Sequence, residues 1–369
     1  MALHFEQRQR PCDRKNWLEP GLDGFWRRDD RESHSAFRSV ACDVREHAVS
    51  RISSRSRSGG LTLIELLVAL AVGLLVVLAA VAALTVARRG FTTVDAASQL
   101  RDSGRFAADM IQRIGVQTGY RDVFFAATSR TGGGDPAPDI VGFNNAKVDL
   151  TNPLTSSTAR ATTEVGYGSD VLVLRYQTAQ ANTMAVDATL RKVADKTMID
   201  CAGNAPEEVV DIDNAAARDT RMASIFHVAI NQGEPALMCT YQDPTSLVWT
   251  SVPIIQGVEN FQVLYGVDGV TANTATALTA PAPNVPNGYL RADQIAVAGN
   301  TVATNANWRR VRSLRIGMVL RSAPGSSQDT AAQTFFPFGP AKSSGSGATG
   351  SAFASANDPG TTFGPTPDG

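Results

Sequence analysis

The chain has 369 residues, of which 43% are hydrophobic and 19% charged, and its 34 Lys+Arg nearly balance 35 Asp+Glu. This composition excludes a disordered or collagen-like chain, and a net charge of −1 gives no support to a general nucleic-acid binder. Four cysteines exclude a disulfide-dense miniprotein, and four histidines (His4, His34, His47 and His227) leave histidine chemistry few places to act.

Residues 1–50 mix both signs of charge without periodicity and contain Cys12, Cys42, Trp17 and Trp26. From Ala48 to Gly60 there is no acid, while Arg51, Arg55 and Arg57 are basic. Leu61–Ala87 then reads LTLIELLVALAVGLLVVLAAVAALTVA, with Glu65 as its single charge. As a helix this run is roughly 40 Å long, enough to cross a bilayer core of about 30 Å. A soluble core helix rarely stays apolar on every face for so long. The basic residues before it place that end in the cytoplasm, although Arg88 and Arg89 dilute the signal at the other end. An acid inside a membrane helix costs several kcal/mol unless it finds a partner, so Glu65 reads as functional.

The stretch Gly60-Leu61-Thr62-Leu63-Ile64-Glu65-Leu66-Leu67-Val68-Ala69-Leu70 resembles the class III signal of type IV pilins and pseudopilins. The resemblance implies cleavage of the Gly60–Leu61 bond by prepilin peptidase, N-methylation of Leu61, and Glu65 as the fifth mature residue. It also implies that Glu65 meets the α-amine of a neighbouring helix, neutralising a buried carboxylate and fixing axial register. Ser103-Gly104-Arg105-Phe106-Ala107, Gly119-Tyr120, Gly168-Ser169-Asp170-Val171-Leu172 and Gly257-Val258-Glu259-Asn260-Phe261 are similar to segments of the PilW family of minor pilins. Where many major pilins have a proline inside the mature helix, this chain has Ala82. The leader, residues 1–60, is unusually long. No methionine lies between Met1 and Met110, so two readings stay open: a start at another codon such as that of Val49, or a genuine cytoplasmic extension.

Beyond the apolar run, Phe91, Val94, Ala97, Leu100, Ala107, Met110, Ile111 and Ile114 fall near one stripe, which predicts that the helix continues to about residue 118 and packs on a sheet. Gly90 and Gly104 weaken it by about 1 kcal/mol each, and a hinge at Gly90 is the alternative. Residues 128–168 are loop-rich, and Thr131–Pro136 lacks the lysine and Ser/Thr of a phosphate-binding loop. Strands are predicted at Asp170–Tyr176, Ala223–Ile230, Leu237–Tyr241, Ser246–Val252, Val258–Tyr265 and Ser313–Arg321, the fifth with a possible short helical start.

The expected fold is α+β and pilin-like, with a long N-terminal helix (61–118, membrane-spanning over 61–87) packed on an antiparallel sheet. A β-rich extracytoplasmic domain spans 119–339, and 340–369 is read as a flexible Gly/Ser/Pro tail. In an oxidising compartment Cys201 and Cys239 favour a disulfide over two buried thiols. Catalysis has little support: His227 lies in mid-strand and reads as half-exposed, and Asp211-Ile212-Asp213-Asn214 lacks the glycine and glutamate of a calcium loop. No cofactor or metal is expected. The resemblance implies a non-enzymatic minor pilin in type IV pilus assembly or initiation, held in the inner membrane with its N-terminus cytoplasmic and its domain periplasmic. Its implied partners are prepilin peptidase, other minor pilins, the major pilin, the inner-membrane assembly platform and the lipid bilayer, with no direct nucleic acid. The alternatives are a type II secretion minor pseudopilin or a membrane-tethered extracytoplasmic enzyme or receptor.

Overall fold

The computed structural model describes residues 2–4, 60, 62–121, 137–181, 192–206, 220–277, 280–323, 326, 331–342, 350–355 and 357–364. Thr131–Pro136 and Asp211–Asn214 lie outside them, as does most of the expected leader. Contacts divide the chain into two compact units, Gln7–Leu84 and Met1–Glu6 with Thr85–Gly369. The division falls within three residues of Ala87, where the apolar run ends.

One helix, α1 (Leu63–Gln117), contains no proline and runs for 55 residues without interruption at Gly73 or Gly90. Within the first unit its apolar face is exposed: Leu63, Leu66, Leu70, Leu74 and Leu78 are exposed, and the most apolar window has none of its area buried. Within the second unit its inner face is formed by Gly104, Ala107, Ile111 and Ile114, which are buried. Phe91, Val94 and Ala97, expected on that stripe, are exposed. The packed face is rotated toward Thr93, Ala96 and Leu100 there, and small residues at 104 and 107 let the backbone approach the sheet. Gly119 ends the helix at φ +81°, a left-handed conformation that a side chain would resist, and its N–H donates to the Arg175 carbonyl.

Two antiparallel sheets form the body of the domain. The first has the order β2-β5-β6-β7-β8, with β2 Ile140–Phe143, β5 Val171–Tyr176, β6 Met222–Asn231, β7 Glu234–Gln242 and β8 Trp249–Gln256. The second has the order β1-β11-β9-β10, with β1 Ala2–His4, β9 Val258–Val267, β10 Gly288–Leu290 and β11 Val311–Leu320. Short helices α2 (Ala292–Ile295) and α3 (Thr301–Trp308) lie between β10 and β11, and β3 (Ala146–Val148) pairs with β4 (Ser157–Ala159). One core joins α1 to both sheets through Ile111, Ile114, Phe226, Leu237, Phe261 and Tyr265. Tyr265 meets Trp308 edge-on at 4.7 Å, and it passes so close to β2 that a Cβ on Gly142 would overlap its ring. The observed class is therefore α+β, as expected.

Three expectations change. Val258–Tyr265 is strand from its first residue. The strand predicted at Ser246–Val252 begins later, at Trp249, because Asp243 Oδ1 accepts from the N–H groups of Thr245 and Ser246 and closes a turn there. It then continues through Pro253, tolerable because β8 is an edge strand. The C-terminal segment, expected to be a flexible tail, is packed over much of its described length. Strand β12 (Gln333–Phe335) pairs with β13 (Thr361–Phe363), and Ala354, Ser355 and Asp358 are buried. Asp358 accepts from Gln262, Ser355 Oγ accepts from Asn144 Nδ2 at 3.1 Å, and Arg291 Nη1 donates to the Ala354 carbonyl at 2.9 Å. A segment poor in its own side-chain contacts is held by polar groups of the domain.

Candidate processing and assembly site

The start of α1 is built from three residues. Among the described residues, nothing lies within 4 Å of where a Cβ on Gly60 would stand. Thr62 precedes the first helical turn, and Glu65 lies on it. The Thr62 N–H and hydroxyl both donate to Glu65 Oε2 at 2.9 Å, and the Glu65 N–H donates to Thr62 Oγ1 at 3.4 Å. This is a reciprocal capping box, which satisfies two otherwise orphaned donors of the helix start. The expectation for Glu65 invoked only a neighbouring subunit; the Thr62-x-x-Glu65 spacing was the signal for this local role. Leu61 itself lies outside the described residues.

Two of the other family-like segments, Gly168–Leu172 and Gly257–Phe261, converge where the two sheets meet. Asp170, at the entry to β5, is fully buried and accepts from the N–H of Val263 in β9 at 2.9 Å and of Asn145 at 3.0 Å. Ser169 Oγ accepts from the Phe261 N–H at 3.2 Å. Gly257, at φ +79°, turns the chain from β8 into β9 where a Cβ would strike the Arg321 carbonyl. Gly168–Asp170 and Gly257–Phe261 therefore tie one sheet to the other. They are joints of the scaffold, and nothing in their geometry exposes a reactive group.

Cys201 and Cys239 form the expected disulfide, with Cα atoms 5.9 Å apart. It fastens the segment after residue 192 to the middle of β7. The same segment reaches α1, where the Ile199 N–H donates to Gln117 Oε1 at 2.9 Å.

His227 is buried rather than half-exposed, because β6 is central and both of its faces are covered. Its Nε2 lies 2.8 Å from Thr240 Oγ1, which in turn lies 2.6 Å from Ser251 Oγ. Burial, helped by the charge of Arg160, pushes its pKa down to about 4. Burial pushes Asp170 the other way, up to about 7, against the two N–H groups it accepts. Neutral His227 therefore contributes stability that is complete above about pH 6.5 and is lost as pH falls toward 4, whereas ionising Asp170 costs stability as pH rises from about 4 to 7. The two slopes oppose each other. His227→Gln, which keeps a hydrogen-bonding group opposite Thr240, is expected to narrow its stability deficit relative to wild type by about 2 kcal/mol between pH 7.5 and pH 5. Urea titrations at the two pH values measure this; a deficit that does not change with pH would refute it.

Two family models match the chain. The prokaryotic N-terminal methylation motif covers residues 55–81, and Type IV Pilus-assembly protein W covers residues 225–355. The first brackets Gly60 and the exposed half of α1; the second runs from β6 to the packed C-terminal segment. The two matches support a PilW-like type IV pilin. No curated protein and no solved structure matches it. The PilW-type match ends at Ser355, so it includes part of the segment expected as a tail and found buried. The prepilin-type signal implies processing by prepilin peptidase, and with the exposed apolar helix it supports anchoring in the inner membrane. A pilin of this kind is a structural protein. Among the described residues no cluster of three or more His, Cys, Asp or Glu is arranged to hold a metal ion.

Proposed function

We propose that this protein is a minor pilin that takes part in the assembly or initiation of a type IV pilus. Prepilin peptidase cuts between Gly60 and Leu61 and methylates Leu61. The mature chain is held by residues 61–87 in the inner membrane, with its N-terminus on the cytoplasmic side and its domain in the periplasm. It works by helix packing and domain contacts with other minor pilins, the major pilin and the assembly platform, without catalysis. The observation that carries this reading is the presence, in one chain, of a prepilin-type signal on an exposed apolar helix and a PilW-type domain. The signal is shared with type II secretion pseudopilins; the PilW match favours the pilus.

In this reading Glu65 has two partners at different stages. Before assembly it caps its own helix through Thr62; in the filament it turns to a neighbour's α-amine, so the carboxylate never sits alone in hydrocarbon. Glu65→Ala is therefore expected to be processed and folded normally yet to fall at least 10-fold in sheared pilus fractions. Intact-mass analysis of membranes and quantification of pili read the two halves separately. Normal incorporation of the variant would remove Glu65 from the assembly role.

A further inference from the structure

Beyond residue 87, α1 has two opposite faces. Gly104, Ala107, Ile111 and Ile114 are buried on the inner one. The outer face is exposed and carries a row of charges at intervals of four: Arg101, Arg105, Asp109 and Arg113. Residues four apart on a helix lie one above another, close enough for Asp109 to pair with the arginine on either side. Yet among the described residues none of these four side chains has an ion pair or a hydrogen bond. Phe91 and Val94 continue the outer face toward the apolar run and are also exposed.

The row restricts what can lie against it. Set beside a parallel second copy with no stagger, each residue meets its own kind, and every contact along the row is repulsive. A stagger of four residues, about 6 Å along the axis, puts Arg105 of one copy against Asp109 of the other. It also puts Asp109 of the first against Arg113 of the second, and leaves Arg101 against Arg105 as the single like pair. A stagger of eight gives one opposite pair and one like pair, and a stagger of twelve gives one like pair alone. Four is the offset at which attraction outnumbers repulsion. It is also the offset from Leu61 to Glu65, the two residues that the pilus reading joins between neighbouring helices.

We propose that the outer face of α1 docks a second copy of this chain, parallel and staggered by four residues, through Arg105 on Asp109 and Asp109 on Arg113. The inference rests on the pilin reading above, which makes the two helices parallel and gives Leu61 its free amine. Exposed ion pairs are individually weak. The charges therefore choose the register and reject the unstaggered arrangement, while Phe91 and Val94 supply apolar contact area. The two copies are inequivalent: one presents Asp109 and Arg113, the other Arg105 and Asp109.

The test uses the full chain in cells that assemble pili, expressed as two differently tagged copies. A photo-crosslinking amino acid replaces Gln112, an exposed and uncharged neighbour of the row. Crosslinked peptides are mapped by mass spectrometry, and N-terminal analysis reports cleavage at Gly60 in the same samples. The expected product joins the two tags, with attachment centred on Ala108 and Val116, four residues to either side of position 112. Asp109→Arg alone, and Arg105→Asp/Arg113→Asp alone, each make both staggered pairs like-charged and should lower the yield at least 10-fold. Expressed together, these two variants present opposite charges at both pairs, and the yield should return to within about 2-fold of wild type. An unchanged melting temperature of the domain separates these losses from loss of folding. Attachment centred on position 112 of the wild-type partner would overturn the stagger. Crosslinks to other pilin-type subunits alone would overturn the choice of a second copy, and a yield that survives either variant alone would remove the charges from the contact. Each of these results, with normal cleavage, leaves the pilus reading intact; a chain never cleaved at Gly60 would remove both.

Discussion

Gly60→Val is expected to leave more than nine-tenths of the protein uncleaved, as an anchored precursor that retains its leader. Among the described residues nothing lies within 4 Å of the position a Cβ would take, and the neighbouring helix start is made by Thr62 and Glu65, so the substitution meets no described part of the fold. Its effect is expected in contact with the peptidase. A protease that cuts an extended backbone needs close approach on both sides of the scissile bond, and glycine allows it where a branched side chain stands off the cleft wall. The precursor cannot expose the α-amine of Leu61, so loss of processing also removes the partner assigned to Glu65 in a filament. Gly60→Val should accordingly match a peptidase-deficient strain in precursor mass and in the absence of the subunit from sheared pili, with the melting temperature of its domain within about 2 °C of wild type. Gly60→Ala, two methyl groups smaller in its demand than the valine, is expected to fall between the two. Complete cleavage of the valine variant, read as a mature N-terminus at Leu61, would mean that the glycine is not part of the recognition.

What the sequence conveyed depended on how local the determining physics is. The processing signal is a code in consecutive residues, and the membrane helix is a matter of composition over Leu61–Ala87; neither needs a distant partner. The strands at 171–176, 222–231 and 258–267 are rich in Val, Ile, Phe and Tyr and announce themselves. His227 failed for a definite reason. Alternation in β6 assigns it to the face opposite Phe226 and Val228, but not whether that face is wet. A second cluster, formed by Ala146, Val171, Val173 and Ile225, covers that side. The C-terminal segment failed in the same way. Its low charge and small residues signal flexibility, yet Asp358 meets Gln262 across 96 residues of sequence and Ser355 meets Asn144 across 211. Contacts of that range are set by the fold and leave no local mark. The helix start is of another kind, since its Thr62-x-x-Glu65 spacing is a local code that specifies the capping box independently of any intersubunit role.

Loss of the Cys201–Cys239 bond is the largest stability change expected from the domain itself. The bridge closes a separation of 38 residues, which in the chain-entropy model corresponds to about 4 kcal/mol withheld from the unfolded state. For a domain of this size that is a fall in melting temperature of roughly 10 °C. The double substitution Cys201→Ser/Cys239→Ser should show it without the complication of a lone thiol. The effect should not be spread evenly. Cys239 sits in the centre of β7, held on both sides by β6 and β8, and does not need the bond to stay in place. Cys201 belongs to a segment with no long strand of its own, tied to the body by the disulfide, by the Cys201 N–H to Ser224 Oγ at 3.0 Å, by Ile199 on Gln117 and the Tyr176 hydroxyl, and by a single bridge at Ala194. Residues 192–206 should therefore open first, with amide exchange rising there well before β6 and β7 lose protection. Because Gln117 closes the last turn of α1 against Ile199, that turn should loosen with it. If the double variant melted within about 2 °C of wild type, the bridge would be redundant with the hydrogen bonds around it. If β7 exchanged as early as residues 192–206, the bond would be supporting the whole sheet and not one strap upon it.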